Sequence, residues 1–240
     1  MNVLIMSDIH GNQDALEKIL EKVKLQDIQG CILLGDLIDY GMHSNEVVEH
    51  IQKLSYPILC NIWGNHEQTI VNERYERFSS DRGRESAKNT RKNLSNSTWD
   101  YLNGMESAGR KEFVCAGKKC LAVHGSKEDI YWGSIKPNQE LSEYSQYDYV
   151  FSGHSHHPHF FEKYYDAEDE KRRNKKKTVF INPGAVGQPR NLNPMAQAVL
   201  LNIETEEIFF LKTAYDIKKE QEAFNGQVDS FYQERLEYGV

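Results

Sequence analysis

Val3-Leu4-Ile5-Met6-Ser7-Asp8-Ile9-His10-Gly11-Asn12 is a short apolar run that breaks into a carboxylate, an imidazole and a glycine. Four consecutive apolar residues suit a strand buried on both faces. Asn12 is placed to cap a helix whose Ala15, Leu16, Ile19, Leu20 and Val23 fall on one side. The order strand, polar loop, helix returns with Cys31-Ile32-Leu33-Leu34, the loop from Gly35 to His43, and a helix carrying Val47, Val48, Ile51 and Leu54 on one face. Ile58-Leu59-Cys60-Asn61-Ile62 supplies a third strand. Buried strands alternating with amphipathic helices need crossover connections and predict an α/β fold with a largely parallel central sheet. Polar residues just past such strands lie where α/β sheets carry their sites.

Outward from this core, the composition from about 67 to 109 turns polar and rich in Arg, Asn and Ser, with helical segments near Ser86 to Leu94 and Thr98 to Met105. This reads as a helical cap insertion. The chain then becomes strand-rich and predicts a second sheet. Glu112 to Ala116 and Cys120 to His124 flank a hairpin signal at Gly117-Lys118, and Tyr149-Val150-Phe151 precedes another glycine loop. Phe160 to Tyr165 should pair with Thr178 to Ile181 across the charged stretch from Asp166 to Lys177, a solvated hairpin tip. Ala198 to Ile203 and Ile208 to Lys212 form a further hairpin, and a helical tail occupies about 215–240. At 240 residues without an internal repeat, the expectation is one domain over 1–240.

A formal net charge of −7 argues against a surface built for non-specific attraction to nucleic acid, and no stable nucleic-acid partner is expected. With no cationic leader before the first apolar run and no apolar run long enough to span a bilayer, the expectation is a soluble, cytoplasmic protein without a membrane partner. Cys31, Cys60, Cys115 and Cys120 lack zinc-ribbon or CxxC spacing and read as buried, reduced thiols. Asn96-Ser97-Thr98 matches a glycosylation acceptor but reads better as a helix start.

Five polar clusters interrupt the apolar strands: Ser7 to Asn12, Gly35-Asp36-Leu37-Ile38-Asp39, Gly64-Asn65-His66-Glu67, His124-Gly125, and Gly153-His154-Ser155-His156. An Asp after a strand is often only a helix cap, and a lone His is more often an ordinary core or surface residue. Together, however, the clusters offer carboxylates and imidazoles, a set that suits borderline divalent metals such as Mn, Fe and Zn, whereas an all-oxygen set would favour Mg or Ca. Asp8 and His10, two residues apart in an extended loop, can converge on one ion, as can one or both of His154 and His156.

The order DxH, GDxxD, GNHE, a lone His-Gly and GHxH resembles the calcineurin-like metallophosphoesterase superfamily over about residues 1–188. Asn182-Pro183-Gly184-Ala185-Val186-Gly187-Gln188-Pro189-Arg190 is similar to the closing motif of its small bacterial and archaeal phosphodiesterases, and the insertion is similar to that of a subgroup with a helical cap. The resemblance implies a four-layered α/β/β/α sandwich of two mixed sheets and a pair of divalent metal ions, Mn, Fe, Ni or Zn. By position, Asp8, His10 and His156 would hold the first ion, Asn65, His124 and His154 the second, and Asp36 would bridge both. His66 would face the substrate, with Asp39 orienting its ring, while Asn12 would support the first ligand loop. Two ions about 3.5 to 4 Å apart share a water and lower its pKa toward neutrality, so the expected nucleophile is a bridging hydroxide.

In the serine/threonine phosphatase branch an arginine follows the second Asp of GDxxD; here that position is Tyr40. The departure points to a small-molecule or nucleotide phosphodiester as substrate, with phosphoprotein phosphatase and dinucleoside polyphosphate hydrolase as alternatives. Arg190, together with Asn65 and His66, is a candidate for contact with substrate phosphate, as are Arg74, Arg82 and Lys127. His157 and His159 read as strand residues rather than ligands. Tyr75, Phe78, Trp99, Tyr101 and Trp132 are aromatic candidates for stacking on a nucleobase, against the plainer reading that they pack the cap. Two rivals stand beside this reading. One is a metal-dependent nuclease; the other is a non-catalytic scaffold of the same fold, whose known examples lose the histidine that stands here as His66.

Overall fold

In the computed structural model, which describes residues 1–166, 171 and 176–240, the apolar runs become strands whose alternate residues separate three layers of core. The strands are β1 (Asn2–Met6), β2 (Gly30–Leu33), β3 (Ile58–Asn61), β4 (Arg110–Cys115), β5 (Lys118–Val123), β6 (Tyr149–Ser152), β7 (His159–Tyr165), β8 (Lys176–Asn182), β9 (Ala196–Asn202) and β10 (Glu207–Thr213). They form two five-stranded sheets, ordered β10-β9-β1-β2-β3 and β4-β5-β6-β8-β7. Leu4, Met6 and Leu33 face the helices α1 (Gln13–Val23) and α2 (Ser44–Gln52), where they meet Leu16, Ile19, Val47 and Ile51. Val3, Ile5 and Ile32 face the other way and pack on Ala122, Phe151 and Ile181 of the second sheet. The period of two in each strand thus places one set of side chains between the sheets and the other under the helices. On the far side, Leu121, Val123, Val150 and Phe180 are covered by Leu141, Tyr144 and Tyr147. This fourth layer is thin: among the described residues its regular structure is a 3-10 turn at Ser142–Tyr144.

Both sheets are mixed, as the resemblance implied. The first is parallel only across β1, β2 and β3, because β9 joins β1 antiparallel and β10 joins β9 antiparallel. Burial explains why β9 takes an inner place in this sheet. Ala196 and Ala198 of β9 belong to the helix-side core and Val199 and Leu201 to the inter-sheet core. A strand apolar on both faces needs cover on both, which the place beside β1 supplies. β7 pairs with β8 as expected, and the charged tip between them lies mostly outside the described residues. The β4–β5 turn is at Ala116-Gly117, both at positive φ, one residue before the expected Gly117-Lys118.

The insertion holds α3 (Asn65–Val71), α4 (Asp81–Asn93) and α5 (Asn96–Gly104). α4 starts well before the expected Ser86, because Ser80 Oγ accepts the Gly83 N–H at 3.2 Å and caps it there. Ser95 caps α5 in the same way, so the formal glycosylation triplet is a first helical turn. All four cysteines are free and buried, and burial raises their thiol pKa values, to about 12 for Cys60 and Cys120. Among the described residues no helix is long and apolar enough to cross a membrane.

The tail forms α6 (Ile217–Phe224) and α7 (Ser230–Glu234). Phe224, Tyr232 and Leu236 pack on Tyr40, in the loop that follows β2. Buried Glu220 meets the half-buried His43 ring, with Nδ1 3.2 Å from the carboxylate, at the start of α2. The Glu220 hydrogen bond, against the effect of burial, holds His43 above its ordinary pKa, and burial holds Glu220 above its own. Both shifts have the same sign. A folded pKa above the unfolded one gives stability that is complete below the unfolded value and lost as pH rises through the folded one. At constant saturating metal, raising pH from about 6 to about 8 should therefore weaken the tail contact. In thermal melts, the Glu220→Gln protein should lose less stability over this interval than the native protein; equal pH slopes would remove the pair from that role.

Candidate metal centre

Six of the seven ligand candidates follow strand ends, Asn65 opens α3, and five share an unusual backbone conformation. Asp8, His10, Asp36, His154 and His156 all have positive φ, between 50° and 59°. Asp and His enter this left-handed region more readily than most residues, at a cost of about 1 to 3 kcal/mol each. Backbone hydrogen bonds between loops hold them in it. Asp8 N donates to Gly35 O at 3.1 Å, His10 N to Asp36 O at 2.9 Å, and Gly153 N to His124 O at 2.9 Å. The closing loop joins them through Val186 N to Ser7 O and Gly187 N to Asp8 O. Asn12 caps α1 through the Ala15 N–H and reaches back to Gly187 O at 2.9 Å, supporting the first loop as expected.

The structure brings all seven predicted ligands together. Donor atoms of Asp8, His10, Asp36 and His156 lie within 4.8 Å of one another, as do those of Asp36, His124 and His154, so the two groups share Asp36. Asn65 joins the second, its Oδ1 3.0 Å from His124 Nε2 and 2.9 Å from His154 Nδ1. All are buried except His154, which is half-buried.

Whether these residues fit a cation is decided by their hydrogen bonds. The Nδ1 atoms of His124 and His156 meet the backbone carbonyls of Leu34 and Gln188 at 2.6 and 2.5 Å, and that of His10 meets Ile38 O at 3.4 Å. A carbonyl only accepts, so in the neutral ring each Nδ1 carries the proton and Nε2 turns a lone pair inward. His10 and His156 then face each other with Nε2 atoms 3.2 Å apart. The carboxylates behave alike. Asp8 Oδ2 accepts the His154 N–H and Asp36 Oδ1 the His66 N–H, while Asp8 Oδ1 and Asp36 Oδ2 are buried with no hydrogen-bond partner. Converging acceptors of this kind fit a divalent metal ion.

Charge acts in the same direction. Burial, with the charge of His66, holds His10 well below its ordinary pKa; burial and Arg190 lower His156; burial and His124 bring His154 to about 3. Each shift favours the neutral ring, the form that can act as a ligand. Burial alone would raise Asp8 and Asp36, but His156 beside the first and His124 beside the second outweigh it and keep both below the carboxylate range. Asp36 likewise outweighs burial at His124 and raises it to about 9, so a positive charge is favoured between these two residues.

His66 lies outside both groups. Its Nδ1 meets Asp39 Oδ2 at 2.7 Å, and its Nε2 is 4.0 Å from Asp36 Oδ2. Burial would lower its pKa, yet the charge of Asp36 and the Asp39 hydrogen bond raise it above the ordinary value. Asp39 is itself fixed by Ser86 Oγ and Thr90 Oγ1 of α4, each 2.8 Å from Oδ1.

Asp36, Asn65, His66, His154, His156 and Arg190 border a cavity of about 250 Å³, with Tyr40, Phe78 and Trp132 among its walls. Of the aromatic candidates, Phe78 and Trp132 thus reach the cavity, whereas Tyr75, Trp99 and Tyr101 pack against the helix-side core. Arg74 is exposed and pairs with Glu76, and Lys127 pairs with Glu143. His157 is exposed and His159 half-buried on β7.

Glu67 was quoted in the sequence motif without a role, and the structure gives it one. Fully buried, it accepts the N–H groups of Gly64 and Asp36 at 2.8 Å, Leu37 at 2.7 Å and Ile38 at 3.3 Å. The signal was the Gly64-x-x-Glu67 spacing, half of a capping box. Close approach of Gly64 completes the clamp, because a Cβ there would lie 2.1 Å from Asp36 Oδ1. Glu67→Gln places an amide N–H against backbone N–H groups and should weaken metal binding by about tenfold to a hundredfold, the loss typical of a supporting group. Gly64→Ala should lower occupancy further. Calorimetric metal titration and elemental analysis measure both; native affinity in either variant would mean that the loop is held by other contacts.

The calcineurin-like phosphoesterase superfamily domain matches residues 1–206 of the chain. A protein of Methanocaldococcus jannaschii is 28% identical over 231 residues, covering 92% of this chain and 90% of its own. The crystal structure of a metallophosphoesterase from Sphaerobacter thermophilus is 25% identical, with a TM-score of 0.73 over 100% of this chain and 99% of its own. A hypothetical protein from Pyrococcus horikoshii shares the fold at a TM-score of 0.81, with 21% identity over 100% of this chain and 98% of its own. With its ligand loops at the strand ends of two facing sheets, the chain belongs to the calcineurin-like phosphoesterase superfamily.

Proposed function

We propose that the protein hydrolyses a small phosphodiester, with two divalent ions bridged by Asp36 and with His66 as the acid. The observation that carries this reading is the His66–Asp39 pair, buried at the wall of the cavity and directed toward the shared ligand Asp36. Asp8, His10 and His156 would hold one ion, and Asn65, His124 and His154 the other. When bound, such a pair supplies water of lowered pKa and draws charge from the phosphate oxygens.

The remaining work falls to the chain. Asp39 accepts the Nδ1 proton of His66, which fixes the tautomer and leaves Nε2 to carry the second proton of the imidazolium. Asp36 and Asp39 favour that charged form over the opposing effect of burial. From Nε2 the proton passes to the departing ester oxygen as its bond to phosphorus breaks. Ser86 and Thr90 restrict the Asp39 carboxylate to the orientation this transfer needs.

The walls favour a small diester. At about 250 Å³ the cavity is below the usual range for drug-sized ligands, which argues against a folded phosphoprotein or a long polynucleotide. Tyr40, where the phosphatase branch has arginine, presents a ring edge to His66 at 4.4 Å and no cation. That suits the single charge of a diester better than the double charge of a monoester. Phe78 and Trp132, with ring centroids 5.8 Å apart, offer apolar faces to a planar ester group.

The test uses manganese-loaded protein with bis(p-nitrophenyl) phosphate and p-nitrophenyl phosphate. The diester should have the higher kcat/KM. Preference for the monoester would reassign the protein to phosphomonoesters, and no turnover of either with metal bound would favour a scaffold. His66→Ala should keep metal and fold but lose turnover by about a hundredfold to ten-thousandfold, the contribution of a general acid. Full activity in that variant would remove His66 from the reaction.

A further inference from the structure

Behind Arg190 at the cavity wall the fold assembles two more arginines, Arg82 from α4 and Arg235 just past α7. Phe231 gathers them: its ring lies 4.0 Å from the Arg82 guanidinium and 4.9 Å from that of Arg235. The next residue, Tyr232, stacks on Tyr40 at 4.4 Å, which joins this part of the tail to the cavity wall. Among the described residues none of the three arginines pairs with an Asp or Glu side chain, whereas Arg74, Arg84 and Arg91 all do. Arg190 donates from Nη2 to Gln188 Oε1 at 3.2 Å, and its Nε is buried without a partner. Arg235 donates from Nε to the backbone oxygen of Val240. Burial and the charge of Arg190 lower the pKa of Arg235 to about 10, with Arg82 adding in the same direction.

Like charges gathered without an Asp or Glu partner oppose one another, and an anion among them relieves that opposition. The planar guanidinium fork matches phosphate oxygens in charge and spacing. We propose that Arg82, Arg190 and Arg235 form a second anion subsite beside the metal centre, which takes a phosphoryl group of the substrate other than the one cleaved. The inference rests on the phosphoesterase reading and narrows it to compounds with at least two phosphoryl groups, such as esters of a nucleoside diphosphate. It also gives the tail a part in choosing substrate.

Calorimetric binding of AMP and ADP to manganese-loaded protein tests the subsite without turnover. ADP should bind more tightly by about tenfold, the worth of one charge-assisted contact. That advantage should fall to about twofold in Arg82→Gln and in Arg235→Gln, and should be restored only in part in Arg235→Lys, which keeps the charge without the planar fork. Arg82 is exposed, so Arg82→Gln decides the matter if Arg235→Gln loosens the tail. Equal binding of the two nucleotides, or an ADP advantage that survives both glutamine variants, overturns the subsite. Turnover of the diester without an arginine-dependent ADP advantage removes the subsite alone. An arginine-dependent advantage with no turnover removes the hydrolytic reading, and with it the assignment of the subsite to substrate.

Discussion

The centre depends on one buried carboxylate. Glu67 gathers four backbone N–H groups, three of them consecutive at Asp36, Leu37 and Ile38, and so fixes a loop that would otherwise present unpaired donors to the interior. Burial and the nearby charge of Asp36 oppose ionisation of Glu67, while the Gly64 and Asp36 N–H groups favour it. With this loop in place, Asp36 offers one oxygen to the His66 N–H and turns the other inward. The loops carrying Asp8 and His10 then hydrogen-bond to it through Gly35 O and Asp36 O. Strained backbones persist only where their surroundings over-determine them, and here each candidate ligand loop is held by another.

From that point the order extends outward through α4 and the tail. Ser86 and Thr90 both reach Asp39, so the cap supports the group that orients His66 as well as forming part of the cavity. Tyr40 links the other side, with His10 and His66 on its inner side and Tyr232 stacked against it. Cap and tail therefore act on the same short loop, Asp39-Tyr40, and both of its residues have positive φ.

What was legible in the sequence follows from the range of the interaction responsible. Strand positions were readable because alternate residues within a few positions face different cores, and the ligand clusters because each lies within six residues at the end of an apolar run. The seat of β9 beside β1 was not readable, since nothing local to Ala196–Asn202 says which sheet will cover its second face. The roles of Ser86, Thr90 and Glu67 were missed for the same reason: their partners lie 47, 51 and 31 residues away. The arginine cluster is a mixed case: Arg82 and Arg190 were candidates one by one, but nothing local joined them to each other or to Arg235. Arg82 lies on α4, Arg190 in the loop between β8 and β9 and Arg235 just past α7, and each alone reads as an ordinary solvated side chain.

The interior and the rim divide the charges between them. Asp8, Asp36, Asp39 and Glu67 are all buried, and isolated buried carboxylates are unfavourable by several kcal/mol each unless hydrogen bonds or cations compensate. Backbone N–H groups compensate Glu67, and two hydroxyls with the His66 ring compensate Asp39. Asp8 Oδ1 and Asp36 Oδ2 meet only ring nitrogens, His156 Nε2 at 3.0 Å and His124 Nε2 at 3.3 Å, so the demand for positive charge is concentrated where the histidines converge. Arg190 stands at the cavity wall and Arg82 and Arg235 meet on Phe231 beyond it, and among the described residues none of the three pairs with an Asp or Glu side chain. A cation is therefore favoured in the acidic interior and an anion at the basic rim, and a phosphate ester fits the boundary between the two.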